Sequence, residues 1–171
     1  MCLVTSDLRN EMKPQAYDMH DISKKHIRFV YLAQHISGWS KDPSTKTGCV
    51  IVRPDGTIAA VGYNGFPRAI KDRPEFLNNR EEKYKRVIHC EMNAILSARE
   101  RLDGYTLYNW PGQSCDRCAV HVIQAGITRV VSPKMDSEFT QRWKEQTKLA
   151  DELFAEAGVE VVYINFDAEA A

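Results

Sequence analysis

The chain has 171 residues, with 23 Lys and Arg set against 23 Asp and Glu, and 43% of it is hydrophobic. That length suits one domain with a substantial core, residues 1–171, and the composition excludes disordered and collagen-like designs. Zero formal net charge argues against a broad nucleic-acid surface, because such binding rests on Lys and Arg neutralising phosphates. It leaves room for a small anion held by two or three local cations.

The first 16 residues are polar and without pattern. A helical stripe of Ile22, Phe29, Val30, Ala33 and Ile36 follows, predicting a helix over 18–37 that Gly38 closes. Beyond the polar loop Ser40-Lys-Asp-Pro-Ser-Thr-Lys46, runs rich in strand formers at 47–53 and 57–63 flank Pro54-Asp55-Gly56. Pro fixes φ and Gly accepts positive φ, so these runs read as an antiparallel hairpin. Residues 64–88 hold prolines, many charges and little periodicity, and a loop of that length reads as a functional insertion or a partly helical excursion. A helix over 89–102, a strand over 105–109, a helix over 115–125 and a strand over 128–132 come next. A long helix over 136–157 and a strand over 159–164 complete the chain. Trp143 and Phe154 fall on the long helix's packing face. A hairpin followed by strand–helix alternation implies a three-layer α/β/α domain, a five-stranded mixed sheet with helices on both faces.

The cysteines stand at positions 2, 49, 90, 115 and 118. An odd, modest count in a chain this long is not a disulfide framework. The N-terminus has no apolar signal core, and no stretch approaches the ~18 apolar residues of a membrane span. The expectation is a cytoplasmic protein in a reducing compartment with no membrane partner, where Cys115-Asp-Arg-Cys118 is a metal or redox candidate.

Two short motifs carry the chemistry. His89-Cys90-Glu91 opens one helix and Cys115-Asp116-Arg117-Cys118 opens the next, with one strand between them. Each alone is weak; together they bring an imidazole and two thiols to one edge of the sheet. Helix N-termini favour thiolates. Two thiolates and one imidazole suit zinc, and three protein ligands leave a fourth position for water. Glu91 lies two residues from His89, close enough to exchange protons with that water without binding the metal. Ser40 and Lys41, in the loop before the hairpin, are the first candidates for a phosphate contact. Arg117, Arg68, Lys71 and Arg73 are further candidates. Cys49 reads as core, Cys90 as packing, and His20, His26, His35 and His121 as packed or solvated histidines.

The paired motifs match the zinc deaminase signature, HxE followed by PCxxC. The chain resembles the cytidine and deoxycytidylate deaminase superfamily over nearly its whole length. Within it, Ser40-Lys-Asp-Pro-Ser-Thr45, Gly62-Tyr-Asn-Gly-Phe-Pro67, His89-Cys-Glu-Met-Asn-Ala-Ile95 and Ile123-Gln-Ala-Gly-Ile127 resemble words of deoxycytidylate (dCMP) deaminases. The resemblance implies hydrolysis of dCMP to dUMP and ammonia, with zinc hydroxide attacking C4 and Glu91 shuttling the proton. It implies that the backbone N–H of Cys90 meets the base carbonyl and that Asn64 reaches the sugar. It also implies a homo-oligomer, hexamer or dimer, with dCTP and dTTP as possible effectors. Two departures stand out: Ser114 replaces the usual Pro before the first cysteine, and Cys90 replaces a frequent Ala. Residues 64–88 contain neither Cys nor His, so one zinc per subunit is expected. The alternatives are a deaminase of another cytosine nucleotide or nucleoside, such as 5-substituted dCMP, and a non-catalytic zinc-binding module.

Overall fold

The computed structural model describes residues 19–134 and 138–165. The polar stretch 1–16, the expected helix starts at Asp18 and Asp136, and the side chains of His20, Ile22 and Phe139 lie outside what is described. The elements run α1 (Met19–Ser37), β1 (Gly48–Val52), β2 (Ile58–Tyr63), α2 (Pro74–Leu77), α3 (Arg80–Tyr84) and α4 (Cys90–Ser97). They continue with β3 (Thr106–Trp110), α5 (Asp116–Gln124), β4 (Arg129–Lys134), α6 (Glu138–Arg142), α7 (Lys144–Glu156) and β5 (Glu160–Asn165).

The five strands form one sheet in the order β2-β1-β3-β4-β5. β1 pairs antiparallel with both β2 and β3, while β4 lies parallel to β3 and to β5. The hairpin turn forms as its residues dictate: Gly56 takes φ 88°, and the Asp55 carboxylate accepts from the Thr57 backbone N–H at 2.9 Å.

Alternation along the strands divides the core in two. Val50, Val52, Tyr108 and Val131 face α1 through Val30, Ala33 and Ile36. Cys49, Ile51, Leu107 and Val130 face the other layer, where Ala94, Ala119, Val122, Ala150 and Phe154 come from α4, α5 and α7. The expected three layers are thus present. Two strand glycines bring helix backbone against the sheet. A Cβ on Gly48 would run into Ala33 and Ser37 of α1, and one on Gly62 into Cys90 and Ala94 of α4. The second contact seats the start of α4, and with it the HxE motif, on β2.

Two helices differ from expectation. The helix predicted over 89–102 ends at Ser97, where Ala98 turns to ψ 134°. Leu102 still reaches the core, 3% exposed, but does so beyond the helix end, before Gly104 at φ 79°. The long helix predicted over 136–157 breaks at Trp143, whose φ of −104° and ψ of 11° separate α6 from α7. Its indole stands edge-on to His89, with ring centroids 6.2 Å apart, so a site contact takes the place of helical continuity. Within 64–88, α2 and α3 are short helical pieces, the second capped by the Asn79 side chain accepting from the Glu82 N–H. Among the described residues no helix is long and apolar enough to cross a membrane.

Candidate metal centre and active site

His89 and Cys115 are the N-caps of α4 and α5, with extended backbone and no side-chain cap bond to their own helices. Their side chains are therefore free to meet across the gap between the two helix starts. Nδ1 of His89 lies 3.5 Å from Sγ of Cys115 and 3.4 Å from Sγ of Cys118. All three ligand atoms fall within 4.8 Å of one another, and this is the one such group of three among the described residues.

The charge states fit a metal centre. The Cys115 thiol is pulled down to about 5, chiefly by the hydrogen bond from Cys118 and also by the one from His89. His89 is raised to about 9, first by its hydrogen bond to Cys115. Cys118 moves the opposite way, pushed up by the neighbouring Cys115 and by burial. The opposed directions show protons shared among the imidazole and the two thiols, protons for which a metal would compete. A tetrahedral zinc with ordinary Zn–S and Zn–N bonds sets sulfur and nitrogen about 3.5 Å apart, matching both observed distances. Its binding would displace those protons.

Glu91 is 5% exposed and Cys90 3% exposed. The Cys90 thiol donates to Oε2 of Glu91 at 3.2 Å, and Cys49 Sγ–H donates to the Cys90 carbonyl at 3.1 Å. Burial pushes both of these thiols up. His89, Cys90, Glu91 and Cys115 line a cavity of about 150 Å³.

Around the rest of that cavity stands a buried polar network. Lys83, 4% exposed, donates to Asp42 Oδ1 at 2.8 Å and to Ser44 Oγ at 3.0 Å. The same Asp42 oxygen accepts from the backbone N–H of Ser44 and of Thr45. Asn64 donates through Nδ2 to Asp42 Oδ2 and to the Thr45 carbonyl, and its Oδ1 accepts from the Thr47 N–H at 2.8 Å. The Ser40-to-Thr45 loop, the Asn64 turn and the 64–88 segment are thereby tied into one wall. Arg80 and Arg142 also line the cavity. Neither forms an ion pair or side-chain hydrogen bond with an acid among the described residues; Arg80 stacks over Tyr84 at 5.2 Å.

Several residues singled out in the sequence sit elsewhere. Lys41 is at the surface, paired with Asp72 at 2.7 Å. Ser40 is buried, its hydroxyl given to the Asn64 carbonyl at 2.8 Å. Neither is among the residues lining the cavity, nor are Arg68, Lys71, Arg73 or Arg117. Arg117 instead borders an outer groove with Met92, Leu96 and His121. His121 bonds the Arg117 carbonyl at 2.6 Å, away from the thiols, and His26 bonds the Tyr108 hydroxyl at 2.9 Å within the fold. Ser114, in the place of the usual Pro, is fully buried and receives the Asn109 amide at 2.8 Å; the Trp110–Pro111 peptide just before it is cis. The basic cavity residues that sequence reasoning missed are Arg80, Lys83 and Arg142, and it placed Trp143, also in the lining, in packing.

Comparison with known proteins identifies the family. The cytidine and deoxycytidylate deaminase zinc-binding region matches residues 23–133. An uncharacterised deaminase from the luxG 3′ region of Aliivibrio fischeri is 38% identical over 148 residues, spanning 85% of this chain and 97% of that protein. The deoxycytidylate deaminase of Mus musculus is 36% identical over 128 residues, 70% of this chain and 68% of the mouse protein. The dCMP deaminase of cyanophage S-TIM5, solved in complex with dCMP and dUMP, superposes with a TM-score of 0.63. It is 22% identical and covers 86% of this chain and all of its own, a likeness of fold.

Proposed function

The chain belongs to the cytidine and deoxycytidylate deaminase family, whose zinc-binding region spans residues 23–133, and on that premise we propose that this deaminase hydrolyses dCMP to dUMP and ammonia. The observation that carries the reading is the buried Glu91 carboxylate, which shares a cavity with His89 and Cys115. A structural metal site has no use for a carboxylate held there outside the ligand set. We assign His89, Cys115 and Cys118 as the zinc ligands, one zinc per chain.

Zinc bound at those residues supplies a Lewis acid that turns water into a nucleophile near neutral pH. Glu91 then manages the protons. It accepts one as the water oxygen adds to C4 and passes it to N3. It moves a second to the departing 4-amino nitrogen, so that ammonia leaves and the water oxygen remains as the new carbonyl. The backbone N–H of Cys90 is assigned to the base carbonyl.

Bond counting defines what Asn64 can do for the sugar. Both amide hydrogens and one lone pair of Oδ1 are already used, so it can only accept one further bond, from a sugar hydroxyl. For the 5′-phosphate, Arg80, Arg142 and the third N–H of Lys83 replace Ser40 and Lys41 as the assigned donors. Two guanidiniums at a cavity, without carboxylate partners among the described residues, suit a dianion.

A panel of dCMP, deoxycytidine, dCTP and 5-substituted dCMP, followed by loss of cytosine absorbance, tests the reading. The expected result is a kcat/KM for dCMP at least about a hundredfold above that for deoxycytidine, the scale of a charge-assisted phosphate contact. Equal turnover of the two would overturn the phosphate assignment. Preference for a 5-substituted dCMP would replace the base specificity alone, and no turnover of any member would leave a zinc-binding module.

A further inference from the structure

Beside Glu91 stands a side chain with no part in the reaction so far. Cys90 is buried at the first turn of α4, and its Sγ lies 3.2 Å from Oε2 of Glu91. Three observations distinguish this from packing. The first is direction: a carboxylate oxygen can only accept, so the hydrogen in this contact is the thiol's. The second is anchorage. Cys90 cannot drift, because Cys49 Sγ–H holds its carbonyl at 3.1 Å from β1, and Gly62 leaves space for α4 only at backbone contact. The third is persistence. A Cys118 thiolate ligating a metal would have no hydrogen to give, whereas the Cys90 S–H stays available to the carboxylate.

We propose that Cys90 is a positioning residue for Glu91: its S–H holds Oε2 in place, so that the other carboxylate oxygen is presented to the water and to N3. This rests on the reading of Glu91 as the proton carrier. The physical need is clear. A carboxylate that relays protons between two acceptors must keep one oxygen at hydrogen-bond reach of each in turn. A glutamate side chain left without a donor has rotamers that swing its carboxylate away from those acceptors.

The test uses full-length zinc-loaded protein and two readouts. Infrared difference spectra between wild type and Cys90→Ala isolate the Cys90 S–H stretch, which the same subtraction made in a Glu91→Gln background isolates again. The expected result is a band at lower wavenumber in the first subtraction than in the second, since a charged acceptor lengthens S–H more than an amide does. In kinetics, Cys90→Ala is expected to lower kcat for dCMP about fivefold, with KM and zinc content unchanged, and Cys90→Ser, which restores a donor, to recover most of it. An unmoved band overturns the proposal whatever the kinetics, and where Cys90→Ala folds poorly the same two subtractions are made with Cys90→Ser, which also removes the S–H stretch. A moved band with wild-type kcat in Cys90→Ala also overturns it, because the bond would then exist without positioning anything. Failure of the underlying reading looks different: Glu91→Gln itself would stay active.

Discussion

The floor and the wall of the cavity are built on different principles. The floor is two helix starts, His89-Cys90-Glu91 and Cys115 to Cys118, with ligand atoms on rigid elements packed against the sheet by Gly62 and the α4–α5 core. The wall is loop and short helix, held by one buried ion pair, Lys83 with Asp42, and by the amide of Asn64. In the proposed reading the reactive groups sit on the floor and the recognition groups on the wall. A site divided this way can change substrate without rebuilding its reactive centre.

The largest expected effect on the wall comes from unpairing its ion pair. Lys83→Met leaves the Asp42 carboxylate, 8% exposed at its side chain, with neutral donors only. A loss of about 3 kcal/mol in urea unfolding is expected, and the double variant Asp42→Asn with Lys83→Met should recover much of it. A loss below about 1 kcal/mol would mean that the wall does not depend on this pair. A smaller effect is expected at the rim. Arg142→Ala should raise the KM for dCMP about tenfold while leaving that for deoxycytidine within about twofold. Equal changes for both substrates would place Arg142 in cavity shape rather than in phosphate binding.

The same division governs what the sequence reveals. The floor is legible because zinc chemistry demands residue types at fixed spacing: HxE and CxxC are short, local and chemically restrictive, and each opens a helix whose start is readable. The sheet is equally legible, since runs of strand formers such as Cys49 to Val52 are bounded by turn residues, and the pleat then sends neighbours to opposite faces. The wall is not. Lys83 sits in a charged stretch, Arg-Glu-Glu-Lys-Tyr-Lys-Arg, where nothing local separates the one buried lysine from its exposed or half-buried neighbours; only the distant Asp42 does. Lys41, which the flanking motif recommends, is drawn outward by Asp72. Arg142 and Trp143 are hidden by an apolar periodicity that runs on through residue 143 and so implies one helix. The break there is tertiary in origin, with Trp143 against His89 and Tyr84. The early end of α4 has the same character, since Leu102 keeps its place in the core without the helix that its spacing implies.

In the proposed reading three ligands hold the metal and Glu91 moves the protons. Zinc content and dCMP turnover, measured together in Glu91→Gln, test that division of labour most directly. About one zinc per chain is expected, as in the wild type, with kcat lowered by about a hundredfold or more. Full turnover in that variant, or wild-type protein that is active without zinc, would contradict it.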